Sequence, residues 1–170
     1  MKSLIATLII LGVTNTGNAQ SEIPESIQVP AGNLVVLKTF ATGYQVYQCQ
    51  LKGDNYVWQL KAPDAKLFND MGQEIGSHYQ GPTWEYKDGS RVMGKLLSKY
   101  DSSAGKAIPW LLVAGENHGG QGVLADVSYI NRLKTKAGLM PASGCDSNHI
   151  GSERSVAYTA EYYFYSGEVQ

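Results

Sequence analysis

The chain has 170 residues, 14 Lys and Arg against 15 Asp and Glu, a net charge of −1 and 43% hydrophobic residues. That length suits one domain with a real core. With no basic surplus and no run of basic residues, nucleic acid and an anionic membrane surface are excluded as expected partners.

The N-terminus, MKSLIATLIILGVTNTGNAQ, reads as a secretory signal peptide. Lys2 is a short positive start, residues 4–13 form an apolar run, and Gly17-Asn18-Ala19 puts small residues where a signal peptidase reads, with the cut after Ala19. The run is about half of the ~20 residues a spanning helix needs, and no later segment is apolar enough, so no membrane span is expected. The expected organisation is a signal peptide over 1–19 and a single β domain over 20–170. Its expected location is the periplasm or the cell exterior.

Residues 20–32 are polar with two prolines and read as an extended lead-in. From there the pattern is β. NLVVLKTF (33–40), YQVYQCQL (44–51) and YVWQLKA (56–62) follow period two, with Gly53-Asp54-Asn55 a turn between the last two. Pro63-Asp64 and Asp70-Met71-Gly72 turn the chain around a short strand at 65–69, and another strand spans about 74–79. Gly81-Pro82 breaks that strand, and Asp88-Gly89 is a hairpin-turn signal. RVMGKLLSKY (91–100) is a strand interrupted by Gly94, IPWLLVA (108–114) an inner strand, and ENHGGQG (116–122) a glycine-rich loop. VLADVSYINRL (123–133) alternates Val123, Ala125, Val127 and Tyr129 against Asp126, Ser128 and Arg132. Residues 134–155 read as a long loop and VAYTAEYYFY (156–165) as a last aromatic strand. The expected fold is all-β: a sandwich or barrel of about nine or ten short antiparallel strands with little helix.

Cys49 and Cys145 are the only cysteines. In an oxidising compartment they are expected to pair. The bond closes a loop of 96 residues, worth about 4–5 kcal/mol in the chain-entropy account. The absence of Cys-x-x-Cys argues against redox catalysis and a thiolate zinc site.

The densest chemistry lies in SHYQGPTWEYKDGS (77–90), with His78, Tyr79, Trp84 and Glu85. One reading is a polar cluster in which Glu85 or His78 carries protons and Trp84 offers a stacking platform. The other is a β-corner feeding a hairpin, in which alternation sets Trp84 and Tyr86 on one face and Thr83 and Glu85 on the other. Trp110 is a further candidate platform, and His118 lies in the glycine-rich loop. His78, His118 and His149 show no metal-ligand spacing, so no metal and no cofactor is expected. No Gly-x-Ser-x-Gly elbow occurs. Eleven Tyr and three Trp against three Phe suit pocket walls, since Tyr buries a ring while keeping a hydroxyl to bond.

Tyr47-Gln48-Cys49, His78-Tyr79-Gln80-Gly81-Pro82-Thr83-Trp84-Glu85, Ile108-Pro109-Trp110-Leu111-Leu112, Gly144-Cys145 and Tyr158-Thr159-Ala160 together resemble an exported bacterial and fungal family, domain-of-unknown-function family 3455. The resemblance covers nearly the whole mature chain. It implies export and a single domain, and carries no catalytic residue with it.

The leading functional expectation is a non-catalytic binding protein with a Tyr/Trp-lined surface or pocket for a small molecule or glycan. Its ligand-binding candidates are His78, Tyr79, Trp84, Glu85, Trp110 and His118. The alternatives are a small secreted hydrolase with a site near His78, Glu85 and His118, and a structural envelope protein. The oligomeric state is left open.

Overall fold

A computed structural model describes residues 23–167; the signal-peptide reading falls outside them. Eight antiparallel strands follow one another around a closed barrel, β1 to β8, with β8 hydrogen-bonded back to β1. They are β1 (Asn33–Lys52), β2 (Asn55–Phe68), β3 (Glu74–Tyr79), β4 (Thr83–Tyr86), β5 (Arg91–Tyr100), β6 (Trp110–Gly119), β7 (Tyr129–Ala137) and β8 (Glu153–Gly167). Closure leaves free sheet edges where β2 outruns β3 and β5 outruns β4. The helix content among the described residues is one 3₁₀ turn, Glu25–Ile27.

The all-β expectation holds, and the strand count is a correction: eight, because four short strands merge into two long ones. Gly43 does not end β1; it sits opposite Ala65, and a Cβ there would run into the Asp64 carbonyl oxygen and Ala65. Glycine at 43 therefore allows close strand contact. Pro63 likewise lies within β2, opposite Gln45, along the stretch that outruns β3. There it removes no ladder bond that a neighbouring strand would use. Further boundaries differ: β6 starts at Trp110 and takes in ENHG, residues 123–126 are turn, β7 runs on to Ala137, and β8 starts at Glu153, inside the expected 134–155 loop.

Alternation sorts the inner from the outer face. On β8, Tyr158, Ala160, Tyr162 and Phe164 are buried inside. They pack with Ala41, Ala65, Leu67, Trp84, Val92, Val113 and Ile130 from the other strands. The outer face of β6 and β7 is also covered. Ile27 of the lead-in is fully buried against Leu112 and Leu133, and Asn131 Nδ2 donates to the Ile27 carbonyl at 3.0 Å. Trp110 belongs to this outer cluster.

The β1–β2 hairpin extends past its neighbours and is held by the 138–151 segment. Cys49 and Cys145 form a disulfide, Tyr47 Oη donates to the Gly138 carbonyl at 2.7 Å, and Trp58 Nε1 donates to the Ser143 carbonyl at 2.9 Å. Another tie follows β4. The Asp88 carboxylate accepts from Ser90 N, Ser90 Oγ and Val123 N, and Ser90 Oγ accepts from Leu124 N. Asp88-Gly89-Ser90 thus joins the β4–β5 turn to the chain between β6 and β7. The Ser90 hydroxyl, with the backbone bonds, outweighs slight burial and holds the Asp88 carboxyl below its usual pKa.

Candidate functional site

β3 and β4 are the shortest strands, with six and four residues, and the turn Gln80-Gly81-Pro82 joins them. β2 pairs with β3 only from Ala65 to Phe68, and β5 pairs with β4 only as far as Met93. The barrel rim is therefore cut low between β2 and β5. Beneath the notch lies a cavity of about 150 Å³. Leu60, Pro63, Pro82, Leu96, Leu111 and Val113 supply its apolar wall, and Gln45, His78, Trp84, Arg132 and Tyr162 the rest. Leu60 and Leu96 are largely exposed at the opening, whereas Gln45, His78, Trp84 and Tyr162 are buried.

The β3–β4 register puts His78 opposite Trp84. Their rings stack at 4.2 Å between centroids and 9° between planes, and Tyr162 meets both edge-on at 5.2 and 5.4 Å. His78 Nδ1 lies 2.9 Å from the Thr83 carbonyl oxygen. A carbonyl only accepts, so Nδ1 carries the proton and Nε2 is left as an acceptor. Burial, reinforced by the Arg132 charge and opposed by the Thr83 bond, lowers the His78 pKa to about 3. The ring is thus neutral near pH 7, and it does not exchange protons there as a general base must.

Arg132 enters the cavity from β7. Its Nε and Nη2 donate to the Pro109 carbonyl at 3.1 and 2.9 Å. Five lysines (Lys38, Lys61, Lys66, Lys95 and Lys134) are each paired with a glutamate, but among the described residues no carboxylate pairs with Arg132. Nearby, the Tyr158 and Tyr162 hydroxyls lie 3.4 Å apart. Burial drives both phenols above their usual pKa, so both stay protonated. Gln45 Nε2 and Trp84 Nε1 are buried with no hydrogen-bond partner. Gln45 sits close enough to Tyr158 to influence its ionisation, yet outside hydrogen-bond geometry.

The remaining sequence candidates do not join this cavity. Tyr79 and Glu85 lie on the opposite face of the same hairpin, where Tyr79 Oη donates to Glu85 Oε2 at 2.6 Å. Trp110 packs outside the barrel beneath the lead-in, tilted against Tyr100. His118 is exposed on β6, with Nε2 2.8 Å from the Val127 carbonyl oxygen. His149 pairs with Asp146 at 2.7 Å on the surface. Among the described residues no three His, Cys, Asp or Glu side chains gather as metal ligands would. Of the six binding candidates, then, His78 and Trp84 meet in one cavity.

Gln45, Arg132 and Tyr162 were not singled out by sequence. Alternation groups Arg132 with Asp126 and Ser128, but in Tyr129-Ile130-Asn131-Arg132-Leu133 both faces are covered, one by the core and one by the lead-in. Binary alternation carries no signal in such a strand. A hint was available in that Arg132 is the single charge within a five-residue run, while Lys134 and Lys136 follow beyond it.

A family model described as "Protein of unknown function (DUF3455)" matches residues 30–166. No curated protein and no solved structure matches the chain.

Proposed function

The chain belongs to the DUF3455 family, and from the interior of its barrel we propose a non-catalytic binding protein that holds a small, largely apolar molecule beside the His78–Trp84 stack. The observation that carries this reading is the cavity of about 150 Å³ under the notch at the β3–β4 turn. An apolar cavity of that size elsewhere accommodates benzene. Its wall of leucine, valine and proline favours an apolar body over a glycan, which needs several polar partners. The hydrolase alternative draws less support, because His78 lies inside the barrel while Glu85 and His118 lie outside it.

Six buried carbons at about 0.8 kcal/mol each contribute roughly 5 kcal/mol, equivalent to a Kd on the order of 0.1–1 mM. Titration with toluene, followed by methyl NMR of Leu60, Leu96, Leu111 and Val113 and by tryptophan fluorescence, tests the reading. Saturable shifts confined to these methyls are expected. Unmoved methyls at several times that concentration would sink it.

Export is part of the same proposal. The Cys49–Cys145 bond suits an oxidising compartment, and the apolar N-terminal run suits a cleaved signal. N-terminal sequencing of protein recovered from the periplasm or medium should begin at Gln20. Recovery in the cytosol with residues 1–19 retained would contradict it.

A further inference from the structure

Two buried donors of the cavity lack partners, alongside the free His78 Nε2 acceptor. Gln45 Nε2 and Trp84 Nε1 are donors with no acceptor, on side chains 2% and 3% exposed. Leaving such donors buried and unmade costs about 1–3 kcal/mol each. Arg132 has five N–H bonds to offer; the Pro109 carbonyl takes two of them, and the Tyr162 hydroxyl lies close by. Gln45 on β1 and Arg132 on β7 flank the Tyr158–Tyr162 hydroxyl pair on β8. The site thus offers donors and a positive charge at one side and hydrocarbon at the other. A neutral hydrocarbon would leave those donors unmade. An amine would meet the guanidinium with like charge.

We propose that the ligand is a small apolar monocarboxylate of about benzoate size, its carboxylate taken by Arg132 and Gln45 and its hydrocarbon body by Leu111, Val113 and Trp84. This rests on the binding reading above. A carboxylate only accepts, with room for about four hydrogen bonds, and so answers the donors of Gln45 and Arg132. Planar guanidinium suits planar carboxylate, and the pair strengthens where water is scarce. The mouth at Leu60 and Leu96 lets the apolar end enter or protrude.

Benzoate, benzamide and toluene are shape-matched probes that separate charge from fit. In wild-type protein benzoate is expected to bind roughly 10- to 100-fold tighter than benzamide, the range of a charged hydrogen bond. Arg132→Gln should abolish that preference, and Arg132→Lys should keep part of it. Benzamide binding as tightly as benzoate in the wild type overturns the proposal, as does a benzoate preference that survives Arg132→Gln. The wild-type ratio decides alone if Arg132→Gln does not fold. Toluene binding with no benzoate preference overturns the carboxylate but keeps the cavity. Failure of all three probes overturns the binding reading itself.

Discussion

Lowering the pH from 7.5 to 4.5 should destabilise the wild-type barrel by about 3 kcal/mol more than a His78→Phe variant. His78 is buried and its pKa falls from 6.5 to about 3, chiefly through burial. The unfolded chain therefore takes up a proton as pH drops through 6.5, and the folded chain does so only near 3. Between those values unfolding is coupled to proton uptake, so stability falls as pH falls. Two pH units below 6.5, at about 1.4 kcal/mol per unit, give the figure stated, and the full loss near pH 3 is about 5 kcal/mol. The substituted phenylalanine keeps a flat ring against Trp84 and gives up the bond to the Thr83 carbonyl, a cost of about 1–3 kcal/mol that does not vary with pH. Urea unfolding of both proteins at both pH values isolates the histidine, because the other titrating groups are common to the two chains and cancel. Equal losses in the two proteins would refute the reasoning. They would mean that His78 accepts a proton in the folded barrel and that water reaches the stack.

Replacing Cys49 and Cys145 by alanine should lower the unfolding free energy by about 4–5 kcal/mol in the chain-entropy account; an unchanged urea midpoint would show that the 138–151 segment is held without the bond. Gly43→Ala should cost about 1–3 kcal/mol, because the added Cβ meets the Asp64 carbonyl and Ala65 on the facing strand. A fall in Tm of under about 2 °C would contradict that packing argument.

Much of the molecule was legible from local pattern. Period-two alternation identifies strands and separates the faces of β8, with Tyr158, Ala160, Tyr162 and Phe164 on one side and Glu161, Tyr163 and Tyr165 on the other. Gly81-Pro82 and Asp88-Gly89 mark both turns around β4. With only two cysteines, the pairing had one solution. The stretch 77–90 held both His78 and Trp84, and alternation set Trp84 apart from Glu85.

Tertiary structure alone decided the rest. Gly43 and Pro63 look like breakers locally, yet their surroundings are set by a facing strand some twenty residues away, and only the paired register makes them compatible with continuous strands. Closure of β8 onto β1 depends on contacts between opposite ends of the chain, which no window of neighbouring residues reports. Asn131 and Leu133 are buried because a lead-in from residues 23–29 lies over them, and Arg132 faces inward together with Ile130. The cavity owes its opening to a difference in strand lengths, since β3 and β4 stop short where β2 and β5 continue. Sequence alternation states that a residue has an inner and an outer choice. Which side is inner, and whether it is packed or hollow, is settled only when eight strands meet.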